Sequence, residues 1–258
     1  MKKLPPIVID TAVKHNRYLT MSLGGPLAER VPEGRDTKPS SGSVAGKPSF
    51  RQRGGTSAAI RVKVNSAPQF PGAVGNIYWV GVPGDVCEDA LSSGSPPGCA
   101  QGSFTTAAVQ CDPLFMDWTS ISSLSVRGPD IVPGPSTYVV QWVDSSCADL
   151  SNEDCFSDPV LVTTRKWGDV VAPFSGASQP NFGDISRVVD KFQDKAGALP
   201  KADTDLVGHI PDLKVNFLDI NQDVQAFQGA AYPFSGPCTC PSSSTCPTLD
   251  ACGRCTTT

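Results

Sequence analysis

The sequence predicts a mainly β protein, an antiparallel β-sandwich followed by a small helix pair and a cysteine-rich tail. Three observations carry that expectation. Gly and Pro each number 24 among 258 residues while charged residues reach only 18%, a balance that suits short strands and many turns. Apolar side chains alternate with period two from residue 59 onward and change to a helical period only near the C-terminus. Ten cysteines in a chain of net charge −4 point to an oxidising compartment, where disulfides reinforce a modest core.

Residues 1–58 read as an N-terminal strand and a basic polar arm. Ile7, Val8 and Ile9, then Tyr18, Leu19, Met21 and Leu23, are apolar enough for one or two strands. Residues 24–58 are dominated by Gly, Pro, Ser, Lys and Arg, a composition that cannot repay its own ordering entropy. Residues 1–55 carry ten Lys/Arg against four Asp/Glu, and the remainder eleven against twenty-one. The arm is a solvated tail, or it meets the acidic body of a neighbouring copy, where complementary fields would steer head-to-tail association. Only Tyr18 and Phe50 are placed to stack on bases, so no nucleic-acid partner is expected. An apolar strand on such a tether either folds back onto its own body or adds to a neighbour's sheet. The second choice assigns Ile7, Val8, Ile9, Tyr18, Leu19 and Met21 to assembly. Pro5, Pro6 and Asp10 interrupt the apolar run of about 7–15 residues that a signal peptide needs, so no secretion signal is legible. No apolar run approaches the roughly 20 residues of a membrane-crossing helix, and no membrane insertion is expected.

Residues 59–168 read as the sandwich. Ile60, Val62 and Val64 alternate with Arg61 and Lys63, the pattern of a half-buried strand. Residues 76–82, 104–110, 121–127, 137–143 and 159–164 follow, each rich in β-branched or aromatic residues and bounded by Gly, Pro, Asp or Ser. With no helical pattern between them, these strands predict an antiparallel sandwich of the immunoglobulin-like kind. Trp79, Trp118 and Trp142 are expected in the core or on a sheet face, with a carbohydrate-stacking platform as the functional alternative.

Residues 169–234 repeat themselves. Asn181 to Gln193 aligns without gaps with Asn216 to Gln228 at an offset of 35, matching at seven of thirteen positions, the mark of a duplicated supersecondary unit. Ile185, Val188, Val189 and Phe192 in the first copy, and Ile220, Val224 and Phe227 in the second, fall on one helical stripe. Neither stripe can be covered alone, so the helices should pack on each other or on the sandwich.

Two helices, each opened by an Asn-x-x-Asp step and separated by a Pro/Asp loop, resemble the duplicated calcium-loop-and-helix of a type I dockerin over about residues 169–228. The resemblance implies a secreted bacterial surface protein with calcium as cofactor. It also implies metal ligands at Asp205, Asp212, Asn216 and Asp219 in the second copy and at Asn181 and Asp184 in the first. The match departs from the family at Leu213, where a glycine is expected, and at Gly208 and Ala177, where oxygen ligands are expected. A competing reading makes Asp184 and Asp219 first-turn carboxylates favoured by the helix dipole.

Residues 235–258 are the cysteine-rich tail. Spacing pairs Cys87 with Cys99 and Cys147 with Cys155, leaving Cys111 for one of Cys238, Cys240, Cys246, Cys252 and Cys255; zinc on the tail thiolates is the alternative. The sequence has no His-Glu-x-x-His, Gly-x-Ser-x-Gly or phosphate-loop motif and only two histidines, His15 and His209. The expectation is therefore a non-enzymatic extracellular or cell-surface structural protein that assembles head-to-tail into a filament or surface layer through its arm. The alternative is a dockerin-like module that anchors cargo to a protein receptor or carbohydrate.

Overall fold

A computed structural model describes residues 16–23, 57–174 and 180–240, together with the backbone of 248–249 and 255–256. Eight strands form one mixed sheet: β1 (Tyr18–Ser22), β2 (Ala58–Ser66), β3 (Ile77–Val80), β4 (Gly84–Cys87), β5 (Ser103–Gln110), β6 (Ser123–Arg127), β7 (Thr137–Asp144) and β8 (Val160–Thr163). Their order is β1-β6-β5-β3-β2-β7-β8, with β4 paired to β5. The expectation of a wholly antiparallel sheet is corrected at one pair, since β5 and β6 run parallel. Residues 111–122, which join them, are long enough for the crossover that a parallel pair requires. Three helices follow, α1 (Phe182–Phe192), α2 (Lys201–Thr204) and α3 (Phe217–Phe227), and then a two-stranded ladder of β9 (Thr248–Leu249) and β10 (Cys255–Thr256).

The period-two pattern places Ile60, Val62 and Val64 of β2 in the main core with Tyr78, Val80, Leu124, Val126, Tyr138 and Val140. The opposite face of β2 is not left to solvent. Arg61 is buried, pairs with Glu153 at 2.6 Å and Gln141 at 2.6 Å, and lies 3.5 Å from the centroid of the Phe156 ring. Glu153 and Phe156 come from the loop after β7, which a disulfide between Cys147 and Cys155 closes. Guanidinium stacking and a charged hydrogen bond make that burial tolerable.

Two other expectations change with the tertiary structure. Tyr18, Leu19 and Met21 are fully buried in β1, which pairs antiparallel with β6 of the same chain from Tyr18↔Arg127 to Ser22↔Ser123. The strand folds back, as the hydrophobic burial of three large side chains favours; Ile7, Val8 and Ile9 lie outside the described residues. Of the three tryptophans expected in the core or on a sheet face, Trp79 and Trp118 are buried, and Trp118 donates its indole N–H to the Ala58 carbonyl at 2.7 Å. Those two are closed to sugar stacking, while Trp142 on β7 is half-buried.

The pairings Cys87–Cys99 and Cys147–Cys155 are present, and Cys111 bonds to Cys240 across 129 residues. Cys238 is disulfide-bonded as well, so neither described tail cysteine offers a thiolate to zinc. Cys246 and Cys252 lie outside the described residues, and Cys255 is described only in its backbone. One core cluster runs from the strands through Trp167 and Val170 to Val188, Leu206, Val215 and Ala226 of the repeats, so the repeats share the core of the sheet.

Candidate functional site, an acidic centre between the repeats

The two repeat copies build the same local structure. Asn181 caps α1 by accepting from the Gly183 amide at 2.7 Å, and Asn216 caps α3 by accepting from Leu218 at 2.7 Å. Three residues on, Asp184 and Asp219 reach back to the Asn181 and Asn216 amides at 2.7 and 2.8 Å, completing a capping box in each copy. The second oxygen of each carboxylate accepts from two further amides, Val170 and Val171 for Asp184, Leu206 and Val207 for Asp219. Both aspartates are fully buried. The repeat is thus a mechanical unit: one aspartate starts a helix and ties it to the segment that precedes it.

These contacts extend the duplication beyond the alignment. Asp169-Val170-Val171 in the first copy and Asp205-Leu206-Val207 in the second hold equivalent positions, a buried aspartate followed by the two amides that bind the capping carboxylate. Asp205 accepts from the Tyr18 hydroxyl at 2.9 Å and from the Leu213 amide at 3.0 Å through one oxygen, while its other oxygen has no hydrogen-bond partner. Burial pushes its pKa up to about 7; Arg17 works against that rise and Asp219 adds to it. Asp212 is exposed and accepts from the Lys214 amide in its own turn at 2.9 Å.

Leu213 has a left-handed backbone at φ 65°. Its side chain is buried against Tyr18, Val86 and Ala202, and that packing offsets a conformational cost of about 1–2 kcal/mol.

The dockerin-like ligand set does not fit a cation here. Asp184 and Asp219 each carry three amide donors on their two oxygens, Asn181 and Asn216 cap helices, Asp212 faces solvent, and Asp205 is half used by Tyr18 and Leu213. Among the described residues, one group of three acidic, thiol or imidazole ligand atoms gathers within 4.8 Å of one another, at Cys87, Asp89 and Cys99. Its two sulfurs form a disulfide.

Sequence reading does not single out Asp223 in α3. Asp223 occupies the α3 position that Val188 holds in α1, and both are fully buried. Neither oxygen of Asp223 nor of Asp169 has a hydrogen-bond partner. Burial, and then the negative charges of Asp184 and Asp169, raise Asp223 to about 8; burial and Asp184 raise Asp169 to about 6 against Arg165 and Lys166. Gly168 permits the close approach: at φ 76°, a methyl group there would fall 2.9 Å from Asp223 Oδ1 and 2.5 Å from Ala226. The one signal in the sequence was the carboxylate at 223 against a valine at 188.

The N-terminal strand touches both copies. Asn16 donates to the Asp169 carbonyl at 3.2 Å, and Arg17 donates to the Val207 and His209 carbonyls, each at 2.9 Å. A cleft of about 270 Å³ is lined by charged residues including Glu88, Lys191 and Asp194. Lys191 is buried there and pairs with the half-buried Glu88 at 2.7 Å. No protein-family model matches the chain, and comparison with curated proteins and with solved structures returns no match.

Proposed function

We propose that this chain is a non-enzymatic extracellular protein that works by attachment to other protein surfaces through its repeated helix pair. The observation that carries the reading is the duplication of one exposed aromatic. Phe182 and Phe217 hold the same position, immediately after the capping asparagine, and each is 70% exposed. Leu218 beside the second is 57% exposed. Burial was available to these rings in a chain that buries so many others, so a matched exposed pair is a candidate contact for a partner.

Three described disulfides support the extracellular setting. One apolar cluster takes residues from β1, β5 and β6 and from β2, β3, β7 and β8, which supports an immunoglobulin-like sandwich as the rigid body behind the repeats. The dockerin-like resemblance belongs to this reading, with the helix pair as the attaching unit.

The test places a photo-crosslinking aromatic at 182 or 217 of the secreted protein in culture and identifies the adducts by mass spectrometry. Crosslinks from both positions to one protein are expected. A second copy of this chain as that protein would make the function self-assembly, and a different surface protein would make it anchoring. Absence of protein adducts from both positions, with the protein folded, would overturn the reading.

A further inference from the structure

Three side chains from distant parts of the chain are buried as neighbours with unpartnered oxygens. Asn16 precedes β1, Asp169 follows β8, and Asp223 lies in α3; all three are fully buried. Asn16 Oδ1 and both carboxylate oxygens of Asp169 and Asp223 lack any hydrogen-bond partner. Asn16 is held beside Asp169 by its Nδ2, which donates to the Asp169 carbonyl at 3.2 Å, and Asp223 Oδ1 lies against Gly168, next to Asp169.

Among the described residues, no cation hydrogen-bonds to the oxygens of Asp169 or Asp223. Asp184 adds a third carboxylate whose electrostatic influence reaches both others. Arg165 and Lys166 act on Asp169 through space, but Arg165 spends its Nη1 on the Val170 carbonyl and on Asp203 at 3.0 Å. Unpaired buried carboxylates are strongly unfavourable, so they either hold protons or share a cation. The donor set is oxygen only and includes neither sulfur nor imidazole, which selects a hard ion over zinc or copper. Two carboxylates and an amide can supply most of the oxygens that calcium requires, whereas magnesium keeps several of its waters and is rarely held by protein groups alone.

We propose that Asp169, Asp223 and Asn16 form a calcium site that joins the N-terminal strand to both repeats. It differs from the dockerin-like set in every residue. Calcium here is a staple, because each ligand comes from a segment that could otherwise separate from the others. The site does not rest on the attachment reading.

The full chain, freed of metal with a chelator, is titrated with Ca2+ by isothermal calorimetry, and its thermal midpoint is followed with and without Ca2+. One Ca2+ per chain is expected, with a midpoint rise of about 5 °C or more at saturation. Asp223→Val, which installs the residue of the equivalent first-copy position, should abolish both signals while keeping the circular dichroism of the folded protein. Asp212→Asn, in the exposed loop of the dockerin-like set, should change neither. Should the valine variant fail to fold, Asn16→Ala serves in its place, with a Kd weakened about tenfold or more. A wild-type chain that takes up no Ca2+, binding that survives Asp223→Val or Asn16→Ala, or binding lost with Asp212→Asn would overturn the site.

Discussion

Asp205 shows how a single buried carboxylate can set a pH response. Its ordinary value of 3.8 rises to about 7, chiefly because burial disfavours the charged form. Around it stand Arg17 and the Tyr18 hydroxyl from the N-terminal strand, the Leu213 amide, and Asp219 in α3. The folded state therefore binds a proton that the unfolded chain releases near pH 4, and stability falls as pH rises from about 4 to about 7. In chelator, the stability of the wild type relative to Asp205→Asn should decline across that window. Thermal melts of both proteins at pH 4 and pH 7 measure it, and parallel profiles would show that Asp205 does not titrate there. Leu213 makes a second point at this scale. It holds an αL conformation with a side chain in place, and the burial of that side chain offsets the backbone cost.

At the scale of elements, β1 is the piece on which the rest converges. Its backbone pairs with β6, Leu19 and Met21 enter the main core while Tyr18 packs with Val86, Ala202 and Leu213, and the residues before and within it bind both repeat copies. Arg17 is the most exacting of these contacts. It satisfies two carbonyls of the second repeat and places its guanidinium 5.4 Å from the Phe234 ring centroid. Arg17→Ala should leave both carbonyls without that donor and cost about 3 kcal/mol. Urea denaturation would give the loss, and hydrogen exchange should quicken at residues 206–213 before it does in β2 and β7. A change within about 0.5 kcal/mol, the size of an ordinary surface substitution, would mean that water replaces the guanidinium. The helices show the reverse economy, since each capping box is complete within its own repeat and needs only the two amides of the preceding segment.

For the whole molecule, the disulfides differ in what they constrain. Cys111–Cys240 closes 129 residues and ties the chain after the repeats to the end of β5, whereas Cys147–Cys155 closes 8. Loop-closure entropy makes the first worth about 5 kcal/mol and the second about 2.5 kcal/mol. Replacing both cysteines of the long bridge with alanine should therefore lower the denaturation midpoint more than the same change at the short bridge. Equal or reversed losses would show that the body and repeats already hold each other through their common core. The attachment surface also belongs to this scale, because Phe182 and Phe217 matter only if a rigid body presents them together.

The strands of the large sheet other than β4, both long helices and the two short disulfide loops were legible in the sequence, because period-two and helical patterns, capping residues and close cysteine spacing are local properties; β4, a short strand paired only to β5, carried no such pattern. The duplicated Asn-x-x-Asp step was legible too, and its physical meaning was half visible as a helix start. Burial by distant partners was not. Arg61 alternates like a solvent-facing residue, yet a loop after β7 covers it; Tyr18, Leu19 and Met21 read equally as a strand for a neighbour, yet the chain's own β6 takes them. Asp169, Asp223 and Asn16 are separated by up to 207 positions in the chain, so no spacing could gather them. Local chemistry determined the elements by itself; only tertiary packing decided which polar groups lost water, because desolvation depends on what every other segment covers.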